Sequence, residues 1–278
     1  MTAGPLPSAF LGAGPRRGAR WALVGAPLDA TVSFRPGSRF GPAAIRSASP
    51  VLEEWSPTLG VGLDTRPFCD LGDLEFSPGD VDGALGAIAD TVAGLEGCRP
   101  LLLGGEHLIS WPAVQAMAAR FADLRVLQFD AHADLRADYM GRAASHATVM
   151  RRISEVVGPE RCYQVGIRSG TAEEWSFARK THFAPGARGL PPAWREALAG
   201  THVYVTVDID FVDPAFAPGT GTPEPGGPSA ADLLQAIDGL AGLDVVGADV
   251  VEVAPAYDPG GVTAALAAKV VRELLLLP

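Results

Sequence analysis

Asp130, His132 and Asp134 stand on every second residue of Phe129-Asp130-Ala131-His132-Ala133-Asp134. Carboxylates and imidazoles are side chains that hold divalent metal ions. In extended chain, positions i, i+2 and i+4 share a face, so the three can converge on one point. The pattern recurs in shorter form at Asp208-Ile209-Asp210, and another imidazole, His107, closes Gly104-Gly105-Glu106-His107. Four carboxylates and two imidazoles exceed the four ligands of one tetrahedral zinc site. Shared between two ions, with aspartates bridging, they suit hard divalent metals. Oxygen-rich ligation favours Mn²⁺ or Mg²⁺, and the two histidines tilt the choice toward Mn²⁺. Two ions roughly 3.5–4 Å apart lower the pKa of a bridging water enough to make a nucleophile near neutrality, so hydrolysis is the favoured reaction class. A single Asp-x-Asp is most often a turn or a helix cap. Three such fragments together overturn that reading, because clustered carboxylates without a cation repel one another.

The elements that must position these groups are short apolar runs. Leu101–Leu103, Leu124–Phe129 and Val203–Val207 read as buried strands, each ending at one of the ligand fragments. Carboxyl ends of strands are where open α/β sheets build their sites. Further strands are expected at Trp21–Gly25, Phe68–Leu74, Cys162–Val165 and 244–251. Helical spacing predicts helices over Gly41–Arg46, Val81–Leu95, Ser110–Phe121, His146–Val157, 229–241 and Val262–Leu277. Segment 171–201 alternates short helical and irregular pieces. Strands alternating with helices imply an α/β fold, a three-layer α-β-α arrangement with a mostly parallel sheet. No internal repeat or composition break divides the chain, so residues 1–278 read as a single domain. Residues 1–20, rich in Gly, Pro and Ala, read as an N-terminal arm.

Composition narrows the function. A formal net charge of −10 over 278 residues argues against a nucleic-acid or anionic-membrane surface. Cys69, Cys98 and Cys162 are an odd, widely spaced set, which indicates neither a disulfide framework nor a thiolate zinc site and fits a reducing cytoplasm. Arg16, Arg17 and Arg20 follow the weakly apolar start rather than precede it, against a signal-peptide plan. Leu274–Leu277 is far too short to span a bilayer. No Gly-x-Gly-x-x-Gly opens a helix after a first strand, so the Gly-rich stretch 218–227 does not read as a dinucleotide site.

The metal motifs also carry a family likeness. Gly104-Gly105-Glu106-His107, Asp130-Ala131-His132-Ala133-Asp134, Ser145-His146-Ala147-Thr148, Val207 to Pro214 and Asp249 to Pro255 occur in the order found in ureohydrolases. With Phe34 to Pro42 added, the chain resembles the arginase and agmatinase family of binuclear manganese enzymes, and most closely its agmatinase branch. The resemblance implies the arginase-like fold and two Mn²⁺ per chain. His107, Asp134, Asp130 and Asp208 would hold one ion, and His132, Asp130, Asp208 and Asp210 the other. It implies that His146 lines the pocket and shuttles protons, and that Glu252 binds the substrate guanidinium, for which a carboxylate offers matched, bidentate geometry. It implies a homo-oligomer, a trimer or hexamer, and a small guanidino substrate cleaved to urea and an amine.

The choice of substrate is read from two loops. Leu135 to Ser145 holds no asparagine and one serine, a departure from the hydroxyl and amide residues with which arginine-cleaving relatives hold the amino-acid end. Together with Thr222 to Gly227 and Asp258-Pro259, the pattern resembles agmatinase, which implies agmatine as the substrate, its distal ammonium meeting a carboxylate such as Asp138 or Glu224. Against it, Arg136 and Arg142 could pair with the carboxylate of a guanidino acid, as in guanidinobutyrase or formiminoglutamase activity. Two other classes stand as alternatives: a mononuclear zinc deacylase, which uses fewer carboxylates, and a non-catalytic ureohydrolase-like binding protein.

Overall fold

The computed structural model describes residues 9–278. Eight strands form one sheet: β1 (Trp21–Ala26), β2 (Phe68–Asp73), β3 (Arg99–Gly104), β4 (Arg125–Phe129), β5 (Cys162–Val165), β6 (His182–Ala184), β7 (His202–Asp208) and β8 (Asp244–Val251). Their order across the sheet is β2-β1-β3-β8-β7-β4-β5-β6, and every neighbouring pair is parallel. The inner strands read as near-continuous apolar runs because both faces are covered, as parallel sheets require.

One face is packed by α1 (Gly41–Ala48), α6 (Pro192–Leu198), α7 (Ala230–Asp238) and α8 (Val262–Leu276), through a core that includes Ile45, Leu198, Leu233 and Leu274. The other carries α2 (Val81–Ala93), α3 (Ser110–Ala118) and α4 (Val149–Val157), with Ile88, Val114 and Ile153 inward. Local chemistry sets the helix starts. Asp80 accepts the Gly83 N–H ahead of α2, and capping boxes Thr171/Glu174 and Ser229/Asp232 open α5 (Ala172–Ala178) and α7. The result is the expected three-layer α/β arrangement.

Several expectations change in detail. Within 171–201 the chain makes a short edge strand, β6, between α5 and α6. The stretch read as one helix from His146 begins as a single 3₁₀ turn, His146–Thr148, before α4. A two-stranded antiparallel ribbon pairs Trp55–Ser56 with Val61–Gly62. Of the N-terminal arm, residues 1–8 lie outside the described residues. The remainder docks: Phe10 is buried edge-on to Phe68, its N–H reaches Asp70 Oδ2 at 2.8 Å, and Gly14 bridges to Cys69 on the outer side of β2.

Register brings the strand ends to one level. Val250 pairs with Leu103, Val251 with Asp208, and Val207 with Phe129. The chain therefore leaves β3, β8, β7 and β4 side by side at their carboxyl ends.

Candidate active site

Three of those strand ends, β3, β7 and β4, deliver all six expected metal-ligating side chains to one place, and β8 leads to Glu252 beside them. His107 follows β3 in a 3₁₀ turn, His107–Ile109, and the tight approach before it depends on glycine. A Cβ on Gly105 would lie 1.8 Å from the Leu28 carbonyl oxygen. His107 Nδ1 lies 3.1 Å from Asp130 Oδ2, 3.2 Å from Asp134 Oδ2 and 3.3 Å from Asp208 Oδ2. His132 Nδ1 lies 3.0 Å from Asp210 Oδ2 and 3.8 Å from Asp130 Oδ1. Two groups thus form around two imidazoles, and Asp130 reaches both with different oxygens. Asp208 sits with the His107 group, while its Oδ1 accepts the Asp210 N–H at 2.9 Å.

The convergence is not made by strand alternation. β4 stops at Phe129, and Asp130–Asp134 runs on as a loop in which His132 bridges to Ser169. Asp134 turns back toward His107 with φ 52°, a left-handed conformation uncommon outside glycine. Asp210 lies in a 3₁₀ turn, Ile209–Phe211, after β7 ends at Asp208. Arg168 fastens that turn by donating to the carbonyls of Asp210 (2.8 Å), Phe211 (3.0 Å) and Glu224 (2.6 Å).

The electrostatics of the cluster call for cations. Asp130 is pushed up to about 7 by burial and by Asp134 and Asp210. Asp208 is raised well above the carboxylate range, by burial and then by Asp210 and Asp130. Burial works to lower both histidines, yet the carboxylates prevail: His107 is raised well above its usual value, and His132, chiefly through Asp210, to about 11. Carboxylates packed this closely must take up protons or a metal. His107 Nδ1 is buried and makes no hydrogen bond despite its three carboxylate neighbours, the arrangement left by ligand atoms that face a shared ion. His107 Nε2 meets Thr206 Oγ1 at 2.8 Å, and that hydroxyl donates to Asp249 Oδ1 at 2.6 Å. Asp249 also accepts the Tyr204 hydroxyl at 2.8 Å. Since the Thr206 proton is committed to a carboxylate, Thr206 must accept from Nε2–H, leaving the Nδ1 lone pair for a metal. The donor set fits two divalent ions.

A cavity of about 330 Å³ opens beside the cluster and is lined by His107, His132, Asp208, His146 and Glu252 among others. This volume suits a small molecule. Glu252 sits just past β8 at φ 64°, buried, and its Oε1 accepts the His107 N–H at 2.7 Å. Burial, and then the nearby Glu106 carboxylate, push Glu252 up to about 8, and among the described residues no lysine or arginine pairs with it. His146 is half-buried with its ring against Tyr139, and burial lowers its pKa. Two expected substrate contacts do not fall here. Asp138 is exposed and does not line the cavity; it lies just before a turn with left-handed Met140 (φ 51°) and Gly141 (φ 76°). Glu224 is also absent from the lining; its backbone carbonyl holds Arg168. Arg136 does line it, but faces the buried Glu174 at 3.6 Å, and Arg142 is exposed. Thr206, Asp249 and Glu174 act through tertiary contacts that no local spacing in the sequence reveals.

Known proteins resemble this chain in sequence and fold. The chain is 47% identical over 261 residues to an agmatinase of Halalkalibacterium halodurans, covering 91% of this chain and 90% of that one. It is 45% identical over 261 residues to the agmatinase of Bacillus subtilis, with the same coverage. Among solved structures, the agmatine ureohydrolase of Thermoplasma volcanium superposes with a TM-score of 0.88 at 34% identity, over 97% of this chain and 94% of that one. The family model described as "Arginase family" matches residues 19–277. With sequence, fold and strand-end cluster in agreement, the chain belongs to the arginase family.

Proposed function

We propose that this protein is an agmatinase, hydrolysing agmatine to putrescine and urea. The observation that carries the reading is Glu252, a buried carboxylate with no lysine or arginine partner among the described residues, set in a small cavity beside two groups of metal-ligating side chains. A guanidinium would satisfy it with two parallel hydrogen bonds. His107, Asp130, Asp134 and Asp208 would hold one manganese ion, and His132, Asp130, Asp208 and Asp210 the other. Bound there, the two ions would supply a water acidic enough to attack a guanidinium carbon near neutral pH.

The chain's own residues do the rest. Glu252 orients the planar guanidinium carbon toward the cluster. His146, kept neutral by burial, is placed to pass a proton to the departing amine. Arg136, which lines the cavity, faces the buried Glu174 at 3.6 Å, and that acidic neighbour competes with a substrate carboxylate for it. That favours agmatine over arginine and the guanidino acids. A homo-oligomer in the cytoplasm accompanies the reading.

Urea release with manganese, compared across agmatine, arginine, guanidinobutyrate and other guanidino acids, tests it, with formamide release from formiminoglutamate followed alongside. Agmatine should give the highest kcat/KM; faster turnover of any carboxylate-bearing substrate would overturn the assignment.

A further inference from the structure

His146 is tied to the loop between β1 and α1 by hydrogen bonds whose directions can be worked out. Thr31 donates its backbone N–H to Glu106 Oε2 at 2.7 Å and its hydroxyl to Glu106 Oε1 at 2.9 Å. Glu106 is fully buried. A hydroxyl has one proton and two lone pairs, and while Glu106 is ionised that proton is committed to its carboxylate. Thr31 Oγ1 can therefore only accept toward His146. It accepts the His146 backbone N–H at 3.1 Å and lies 3.4 Å from His146 Nδ1. The second contact is a hydrogen bond only when Nδ1 carries the proton. Nε2 then keeps its lone pair, 3.4 Å from the Ser33 hydroxyl.

We propose that Glu106 and Thr31 are positioning residues that hold His146 as its Nδ1–H tautomer, so that Nε2 is the atom that takes up and hands on a proton. The kinetic side of this rests on the role given to His146 above; the tautomer itself is a property of the resting protein. Glu106→Gln tests the direction of the chain. The Thr31 backbone N–H can only donate, so the new amide oxygen must face it and the NH₂ must face the hydroxyl. Thr31 then accepts from the amide, and its own proton turns to His146 Nδ1. The substitution should force the opposite tautomer, with the proton on Nε2, much as an amide in place of a carboxylate reverses a histidine elsewhere.

The test is a long-range ¹H–¹⁵N correlation spectrum of the full chain at about pH 8.5, where Glu106 is ionised, labelled with ¹⁵N-histidine and loaded with diamagnetic Mg²⁺; His146→Ala assigns the signals. Wild type and Thr31→Ser should show His146 protonated on Nδ1, and Glu106→Gln on Nε2. With manganese and agmatine, Glu106→Gln and Thr31→Val should each lose about tenfold or more in kcat with KM and metal content unchanged, and Thr31→Ser should recover most of the rate. An Nε2–H tautomer in the wild type, or one that Glu106→Gln leaves on Nδ1, overturns the proposal. Should Glu106→Gln fail to fold, an undiminished kcat in Thr31→Val overturns it equally. If the wild type releases no urea from agmatine, the proposed function fails, and the spectra still decide the tautomer.

Discussion

The backbone N–H of His107 is held by the side chain of Glu252 at 2.7 Å. The residue that opens the metal cluster and the one assigned to the guanidinium thus fix each other's position. Glu252→Gln keeps an acceptor for that N–H but removes the charge a guanidinium needs. It should retain metal and lose about 3 kcal/mol of transition-state stabilisation, on the order of 100-fold in kcat/KM. Metal analysis together with agmatine kinetics checks this; loss of metal instead would show that Glu252 serves mainly to brace His107.

Asp130 touches both histidine groups with different oxygens, at 3.1 and 3.8 Å. Asp130→Ala should abolish binding of both ions and all urea release, whereas His146→Ala should keep its metal and lose rate. Equilibrium dialysis followed by elemental analysis distinguishes the two. Full urea release by the Asp130 variant would show the ligands to be wrongly assigned.

Thr206 sets which nitrogen of His107 is free. Thr206→Val leaves the Nε2–H unpaired in a fully buried site and releases the choice of tautomer. Affinity for one of the two ions should fall about 10- to 100-fold, with the fold intact. A manganese titration read by calorimetry or EPR would show one weakened step, and Thr206→Ser should restore it.

Without metal, the cluster makes stability depend on pH. Glu106 is raised to about 7, Asp130 to about 7 and Glu252 to about 8, in each case chiefly by burial. A carboxyl whose folded value exceeds its unfolded value binds more protons in the folded state between the two. Stability is therefore lost as pH rises through that window. His132, raised to about 11, acts in the same sense above the ordinary histidine value. His146, lowered by burial, opposes them only below that value. Metal-stripped protein should melt at a higher temperature near about pH 5.5 than near about pH 8, and saturating Mn²⁺ should flatten or reverse the trend. Scanning calorimetry on both forms measures it.

Much of this was legible in the sequence because it is local. Leu101–Leu103, Leu124–Phe129 and Val203–Val207 are apolar on both faces, the mark of buried parallel strands, and the ligands follow each run directly. The spacing of Asp130, His132 and Asp134 pointed to side chains that do come together, by an incomplete route. The strand ends before them, and Asp134 arrives through a left-handed turn. β6 is three residues long at the sheet edge and only half-buried, too short to leave a hydrophobic period. The Thr206–Asp249 pair joins neighbouring strands 43 residues apart, and Thr31–Glu106 spans 75. Such partners depend on tertiary register, which single-chain patterns do not encode. Asp138 and Glu224 were drawn from loops whose side-chain directions follow from turns such as Met140–Gly141, and both fell away from the cavity.

The packing of residues 9–20 over β2 bears on how the chain behaves outside its active site. Gly14 pairs with that outermost strand while Phe10 plugs the gap over Phe68. A version trimmed to begin at Trp21 would free the Pro67 and Phe68 carbonyls and uncover the Phe68 ring at the outer edge of the sheet, a template for sheet-to-sheet sticking between molecules. Trimming the front of this protein would threaten its solubility long before it touched the metals.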